Sequence, residues 1–586
     1  MQFPTLTEQG QSREMISTFA GYDHNRSIAA NAFYDMKNMS SDGYPLLQSR
    51  ARRGVVRQME TPQGILAKDA MAWADGGKLY YNGAEIVGLT LTEGEKQLVS
   101  MGAYLLIWPD KKYLNTKDLT DFGGLEASYA SSGTVTYLLC GADGSPLSKV
   151  SATKPEEPKG GDYWIDTTQT PHSLMMWSES SEMWIGVATV YTKIQAVGIG
   201  KPFQEGDGVE ISGAAYGGDS DVVQAQFEEL NGTKIIYAKD EDYIVVVGLI
   251  DLTYEQTEGT VTVKRAVPDM DYVCEAQNRI WGCKYGMVDG KAVNELYCCK
   301  LGDFRNWRVY AGISTDAWAA SVGSDGAWTG CANYLGSPTF FKENVIHRVA
   351  ISAVGAHQVT ETVGRGVQSG SFRSLCVVNE VLFYKSRTDV CAYDGSFPTS
   401  MGAALGEERY SGAVGSSFNG KYYLSMKDSG GAWHLFCYDA GKGMWHREDN
   451  THAMCFAAMN DDLYYIDADT KKLMCVLGTQ GTPEAGLEWM AESGVIGYEY
   501  PDKKYLSRYN IRLQVENGGE LRLYCQYDSD GRWEHAGTVR RRGTGTFTVP
   551  VIPRRCDHMK LRLEGKGVVR VFSIAKILEL GSDVGW

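Results

Sequence analysis

His446 stands two positions from Glu448 and three from Asp449 in the run MWHRED (444–449), the spacing in this chain that most invites acid–base chemistry. An imidazole held beside a carboxylate is the minimum equipment for moving a proton. Alternation along a strand sends His446 and Glu448 to one face, however, so a cross-strand salt link accounts for the same pair without catalysis. Asp528 and Asp530 in DSDG match the opening of a calcium loop, but its remaining ligands do not follow, and a turn explains them. The glycine-rich GRGVQSG (364–370) is not followed by Lys-Ser/Thr or by a helical pattern, so a bulge or a link between sheets fits it better than a phosphate cradle. The thirteen cysteines include one adjacent pair, Cys298 and Cys299, and no CxxC, and none is spaced with histidine as a zinc site requires. They read as small buried hydrophobes in a reducing compartment. The expectation is a chain with no catalytic residues, no metal and no cofactor.

Two features point instead to binding. The run GDYWIDTTQTPHSLMMWSESSEMW brings Trp164, Trp177 and Trp184 near turns, where they form either a small core or an aromatic platform for sugar. Arginines cluster at Arg50, Arg52 and Arg53, at Arg540 to Arg542, and at Arg554 and Arg555. With Tyr44, the residues Arg50, Arg52, Arg53, Arg554 and Arg555 are the candidate contacts to an acidic protein partner, a solvated surface being the plain alternative. The runs SDGAW (324–328) and SDGRW (529–533) set Asp and Gly side by side, whereas the sialidase Asp-box separates them, so both are expected to be hairpin turns carrying a packed tryptophan.

These residues need a scaffold, and a repeat supplies it. SPTFFKENVIHRV, NEVLFYKSRTDVCAYDG, NGKYYLSMKDSGGAWHLFCYD and NDDLYYIDADTKKLMCVL share one pattern of paired aromatics, turn and second strand. Equivalent positions Phe340, Leu382, Tyr422 and Leu463 lie 42, 40 and 41 residues apart, the length of four short antiparallel strands with their turns. Asn419-Gly420, Asp394-Gly395 and Gly430-Gly431 supply turn residues that tolerate positive φ. The fold class expected is all-β: a six- or seven-bladed β-propeller with an inserted small β-domain and a C-terminal β-sandwich. Sixty-seven glycines and 34 tyrosines agree with many short strands.

The chain divides, on this reading, into an extended N-terminal arm (1–55), a first part of the propeller (56–130), an inserted β-domain (131–267), a second part (268–482) and the sandwich (483–586). The arm has too little apolar periodicity to fold alone, so it is expected to dock on a neighbouring subunit through its arginines. A formal charge of −15 makes the molecule as a whole repel phosphate backbones, so it lacks the footprint of a DNA binder. No apolar run is long enough for a membrane span, and the N-terminus has no secretory h-region.

The segments NMSSDGYPLLQSRARRG, FFKENVIHRV, the run from GRGVQSG to SFPTS, KGMWHRED and PRRCDHMKLRLEG resemble structural propeller proteins of tailed phages and prophages of Gram-positive gut bacteria. The arm and propeller are also similar to packaged-DNA stabilisation proteins at the head-to-tail junction, and GDYWIDTT looks like small modules of phage tail and fibre proteins. The resemblance implies a virion component of the neck or tail, assembled in the host cytoplasm. It would be one copy in a homo-oligomeric ring that braces the DNA channel and docks a portal or adaptor ring, tail or fibre proteins, with DNA passing but not bound specifically. The alternative is a glycan-binding or glycan-cleaving propeller that serves host attachment.

Overall fold

A computed structural model describes residues 11–147, 150–352, 356–497, 503–551 and 554–580. The first ten residues of the expected arm lie outside them. The described chain is all-β apart from one α-helix and two short 3-10 turns, and it forms two compact units.

The first unit holds residues 1–98, 326–349 and 359–586. Five antiparallel meanders of the propeller type belong to it, at 62–90, 330–363 apart from residues 350–358, 376–400, 411–447 and 453–475, the last taking its fourth strand from Gly54–Gln58. Phe340, Leu382, Tyr422 and Leu463, the sequence-equivalent positions, all fall on the second strand of a meander, and all are buried. The repeat is therefore a repeat of structure. Asn419 and Gly420 have φ of 49° and 71°, both positive, the backbone of a primed two-residue hairpin that matches strand twist. Gly54 is needed for another reason: a Cβ there would lie 1.9 Å from the Gln480 carbonyl oxygen, so only glycine lets Gly54–Gln58 pair with both Lys472–Cys475 and Thr482–Pro483.

The meander at 411–447 continues through Gly21–Tyr22, Ala32–Lys37, Glu488–Ser493, Met559–Lys566, Glu520–Tyr527 and Glu534–Val539 into one ten-stranded sheet. A second sheet, built on Val569–Leu580 and Lys504–Val515, includes Met39–Ser40 and Leu47–Ser49, with Gln11–Ile16 paired to Val569–Leu580. Lys504–Val515 buries every second residue along much of its length, Tyr509, Ile511, Leu513 and Val515 among them, as a strand facing a core on one side must. These side chains share one core with Leu521, Leu523, Leu561, Leu563 and Val571 of neighbouring strands.

The arm expected at 1–55 is corrected here. Within its described part, strands Gln11–Ile16, Gly21–Tyr22, Ala32–Lys37, Met39–Ser40 and Leu47–Ser49 are woven into the chain's own sheets, and Phe19, Phe33, Met36 and Leu47 are buried. The entropy of ordering the segment is offset within the molecule, so no neighbour is required to hold it.

The second unit holds residues 99–325 and 350–358. It contains four-stranded meanders at 97–124 and 272–321. Between them, Ala127–Ala130 runs antiparallel to Thr262–Arg265 with Ala127 opposite Arg265, so chain entry and exit are adjacent and a body is inserted between them. That body is not purely β. Asp221–Leu230 is a helix N-capped by Ser220, whose hydroxyl accepts from the Val223 amide, and it buries Val223, Phe227 and Leu230 against Tyr137 and its neighbours. The spacing of those three residues after a serine was a legible helix signal in the sequence. Arg265 is buried where the chain returns, and its guanidinium meets Asp207 at 2.5 Å, while Asn306 donates to the same carboxylate at 3.0 Å.

Candidate functional site

Strands Val150–Ser151, Tyr163–Asp166, Ser173–Ser178 and Met183–Gly186 make a small separate sheet within the inserted body. Its turns are held locally: Asp166 accepts from both the amide and the hydroxyl of Thr168, and Glu179 accepts from the Gly160 amide. The register sets Trp164 opposite Met175 and Trp177 opposite Trp184, so period-two alternation places all four on one face. Ile165 and Leu174, opposite each other, are buried on the reverse face.

The three indoles touch. Trp184 lies 5.7 Å from Trp164 and 5.5 Å from Trp177, centroid to centroid, at steep angles of 67° and 65°. The Lys154 ammonium stands 5.3 Å over the Trp164 ring. Edge-to-face packing of this kind stabilises the cluster by about 0.5–1.5 kcal/mol per pair beyond area burial. Yet none of the three tryptophans is fully buried. The cluster is a small core on its inner side and an aromatic surface on its outer side.

A second feature of this body was invisible in the sequence. His172 and Asp251, 79 residues apart, meet at 2.6 Å through Nδ1 and Oδ2, and Gln226 both donates to Asp251 and accepts from its amide. The pair ties the small sheet to the helix-bearing body.

The arginines divide sharply. Arg50 and Arg53 are buried, 6% and 3% exposed, and cannot reach a partner from the folded chain. Arg53 meets Glu448 at 2.6 Å, Asp449 at 2.8 Å, the Thr451 hydroxyl at 2.7 Å and the Tyr465 hydroxyl at 3.0 Å. Arg50 meets Glu484 at 2.5 Å and donates to Asn38 at 2.8 Å. Burial by itself would raise the Asp449 carboxyl, but Arg53 beside it, the Thr451 hydroxyl and Arg50 hold it down at about 2. Their expected role as partner contacts is thus corrected: these charges join the N-terminal segment to the 411–447 and 453–475 meanders. Tyr44, Arg52, Arg554 and Arg555 remain exposed, Arg554 pairing with Glu534 at 3.0 Å.

His446 forms no acid–base pair with Glu448, which belongs to Arg53. The imidazole is 5% exposed with an unpartnered Nδ1, and burial first, then Lys421, press its pKa down to about 3. It is a neutral core residue. Asp325 and Gly326 lie in a connection between meanders rather than a tight hairpin, with Trp328 buried against Phe340 and His347. SDGRW does form the turn between Glu520–Tyr527 and Glu534–Val539, and Arg562 lies 4.0 Å over Trp533. GRGVQSG links His357–Val363 to the turn at Phe372–Ser374, with Val367 buried. All thirteen cysteines are free thiols, and burial raises those of Cys298 and Cys525 to about 12. Among the described residues no group of three or more His, Cys, Asp or Glu is placed to hold a metal ion, and no helix is long and apolar enough to cross a membrane.

No family model matches the chain, and no curated protein matches it. Among solved structures it is similar to apo AztD from Citrobacter koseri, with 11% identity and a TM-score of 0.26 over 74% of this chain and 96% of that one. It is also similar to an exo-beta-1,3-galactanase from Phanerochaete chrysosporium, with 8% identity and a TM-score of 0.21 over 52% of this chain and 94% of that one. A third, titled glycoside hydrolase, shows 10% identity and a TM-score of 0.20 over 51% and 96%. Likenesses this distant carry no statement of activity, so function is argued from the chain's own residues.

Proposed function

We propose that this protein binds glycan and serves attachment, with the Trp164, Trp177 and Trp184 face of the inserted sheet as its sugar-facing surface. The observation that carries this reading is the partly exposed, mutually buttressed state of the three indoles. A tryptophan left half in water keeps an apolar ring face for the C–H face of a sugar ring and an indole N–H for its hydroxyls. The edge-to-face contacts hold the rings in place beforehand, which lowers the entropy lost on binding. The test is a glycan array with the full chain, followed by calorimetry on the strongest binder. Trp177→Ala and Trp164→Ala should each weaken binding at least tenfold without loss of folding. Equal binding by both variants, or no glycan bound by the parent chain, overturns the proposal.

A second reading is favoured by the ten-stranded sheet that fuses a meander, the N-terminal segment and the sandwich. A continuous sheet is a stiff joint, suited to a structural, non-enzymatic virion component of the neck or tail, as the sequence resemblance implies. On this reading the seven four-stranded meanders are the blades of the propeller. Gold labelling of the chain in purified particles tests it, and absence of label from neck and tail counts against it.

A further inference from the structure

A cavity of about 720 Å3 lies in the first unit, between the meander at 62–90 and the 453–475 meander with its added strand Gly54–Gln58. Its wall carries Arg57, Trp73, Asn82, Asn460 and Gln480. Trp73 and Tyr80 are directly opposite each other on paired strands, their rings 5.3 Å apart and inclined by only 8°. Across this two-ring floor lies Arg57, its guanidinium carbon 5.2 Å from each ring centroid. Cation–π contact of this kind holds the guanidinium against the rings without using its N–H donors.

Arg57 differs from the two buried arginines of its region. Arg50 and Arg53 are each surrounded by carboxylates, but Arg57 is exposed, and among the described residues no carboxylate lies within 4.0 Å of it. A second observation points the same way: Trp73 is 6% exposed, and its Nε1 is buried with no hydrogen-bond partner. A buried donor left unmatched is unfavourable, and an acceptor brought to it relieves that. Asn82 and Asn460 sit at hairpin tips with φ of 50° and 54°, and both line the cavity together with Gln480.

We infer that this cavity binds a carboxylate-bearing sugar, a hexuronate or a sialate. The carboxylate matches the bidentate edge of Arg57, and the rim amides match sugar hydroxyls. A single guanidinium suits a monoanion. A phosphate dianion would bring a second negative charge to a cavity whose wall also holds Asp69. The site is separate from the tryptophan face, and its success or failure does not depend on that face.

The experiment titrates the full chain with sodium glucuronate, digalacturonate and sialic acid, following tryptophan fluorescence and calorimetric heat, with galactose, inorganic phosphate and an acidic peptide as comparisons. At least one acidic sugar should saturate, and its binding should weaken as salt is raised. Arg57→Gln should lose at least tenfold in affinity, Arg57→Lys less, and Asn460→Asp should weaken binding by repulsion. An unaltered melting temperature certifies folding of the variants. The inference is overturned if no acidic sugar binds, if Arg57→Gln binds as well as the parent, or if galactose, phosphate or the peptide binds as tightly.

Discussion

The arginine cluster of the first unit and the tryptophan face of the second unit invert what their residue types suggest. Arg50 and Arg53 carry full charges and are nearly inaccessible, whereas Trp164, Trp177 and Trp184 are among the most apolar side chains and are partly exposed. The difference is one of partners. A guanidinium can be buried when carboxylates and hydroxyls satisfy it, as Glu448, Asp449, Thr451 and Tyr465 satisfy Arg53. An indole on a four-stranded sheet with one buried face has no second layer to cover it. Charge therefore marks an internal joint here, and apolar side chains mark an exposed surface.

The comparison predicts where substitutions hurt. The largest effect is expected from Arg53→Ala, which leaves Glu448 buried without its closest cation and should cost about 3–5 kcal/mol, read as a fall in the urea midpoint of the first unit. If this variant unfolds like the parent, the arginines are not the joint described.

Acid should reach the same joint more gently. Asp449, at about 2 in the folded chain against the ordinary 3.8, contributes about 2 kcal/mol of stability. Its folded value is depressed, so the contribution is present above about pH 4 and lost as pH falls towards 2. Urea titrations from pH 5 to pH 2 should show this loss, and Asp449→Asn should flatten that part of the profile. His446 adds to the same slope, since an imidazole kept neutral by burial opposes folding once the unfolded chain protonates below about 6.5.

The aromatic face should behave in the opposite way, with binding lost and folding kept. Cys140 and Tyr191 are cross-strand partners, so residues 141–190 can be replaced by Asn-Gly as a two-residue hairpin. The shortened chain should unfold within about 1–2 kcal/mol of the parent and bind no glycan through this face. Unfolded product would show that the small sheet is part of the unit's core after all. The smallest effect is expected from Arg52→Glu and Arg554→Glu, exposed charges whose reversal should change stability by no more than about 0.5 kcal/mol. A larger loss in the isolated chain would mean that a surface charge is doing what only the buried pair should do.

The all-β class and the repeat from Phe340 to Leu463 were legible in the sequence, because strand alternation and hairpin residues are local properties. The insertion was read at 131–267, and in the structure Ala127–Ala130 and Thr262–Arg265 pair at its base. The helix at Asp221–Leu230 was legible in principle from Ser220, Val223, Phe227 and Leu230, but it is a single short helix among strands. What only the tertiary structure decided is partnership. Arg53 and Glu448 are 395 residues apart, His172 and Asp251 are 79 apart, and Arg57 meets Trp73 and Tyr80 from a different sheet strand. Burial and pairing depend on which strands the chain brings side by side, and sequence distance carries no trace of that. The same arginine-rich run around 50–57 therefore contains two buried structural charges and one exposed cation on an aromatic floor, a distinction made by neighbours and not by residue type.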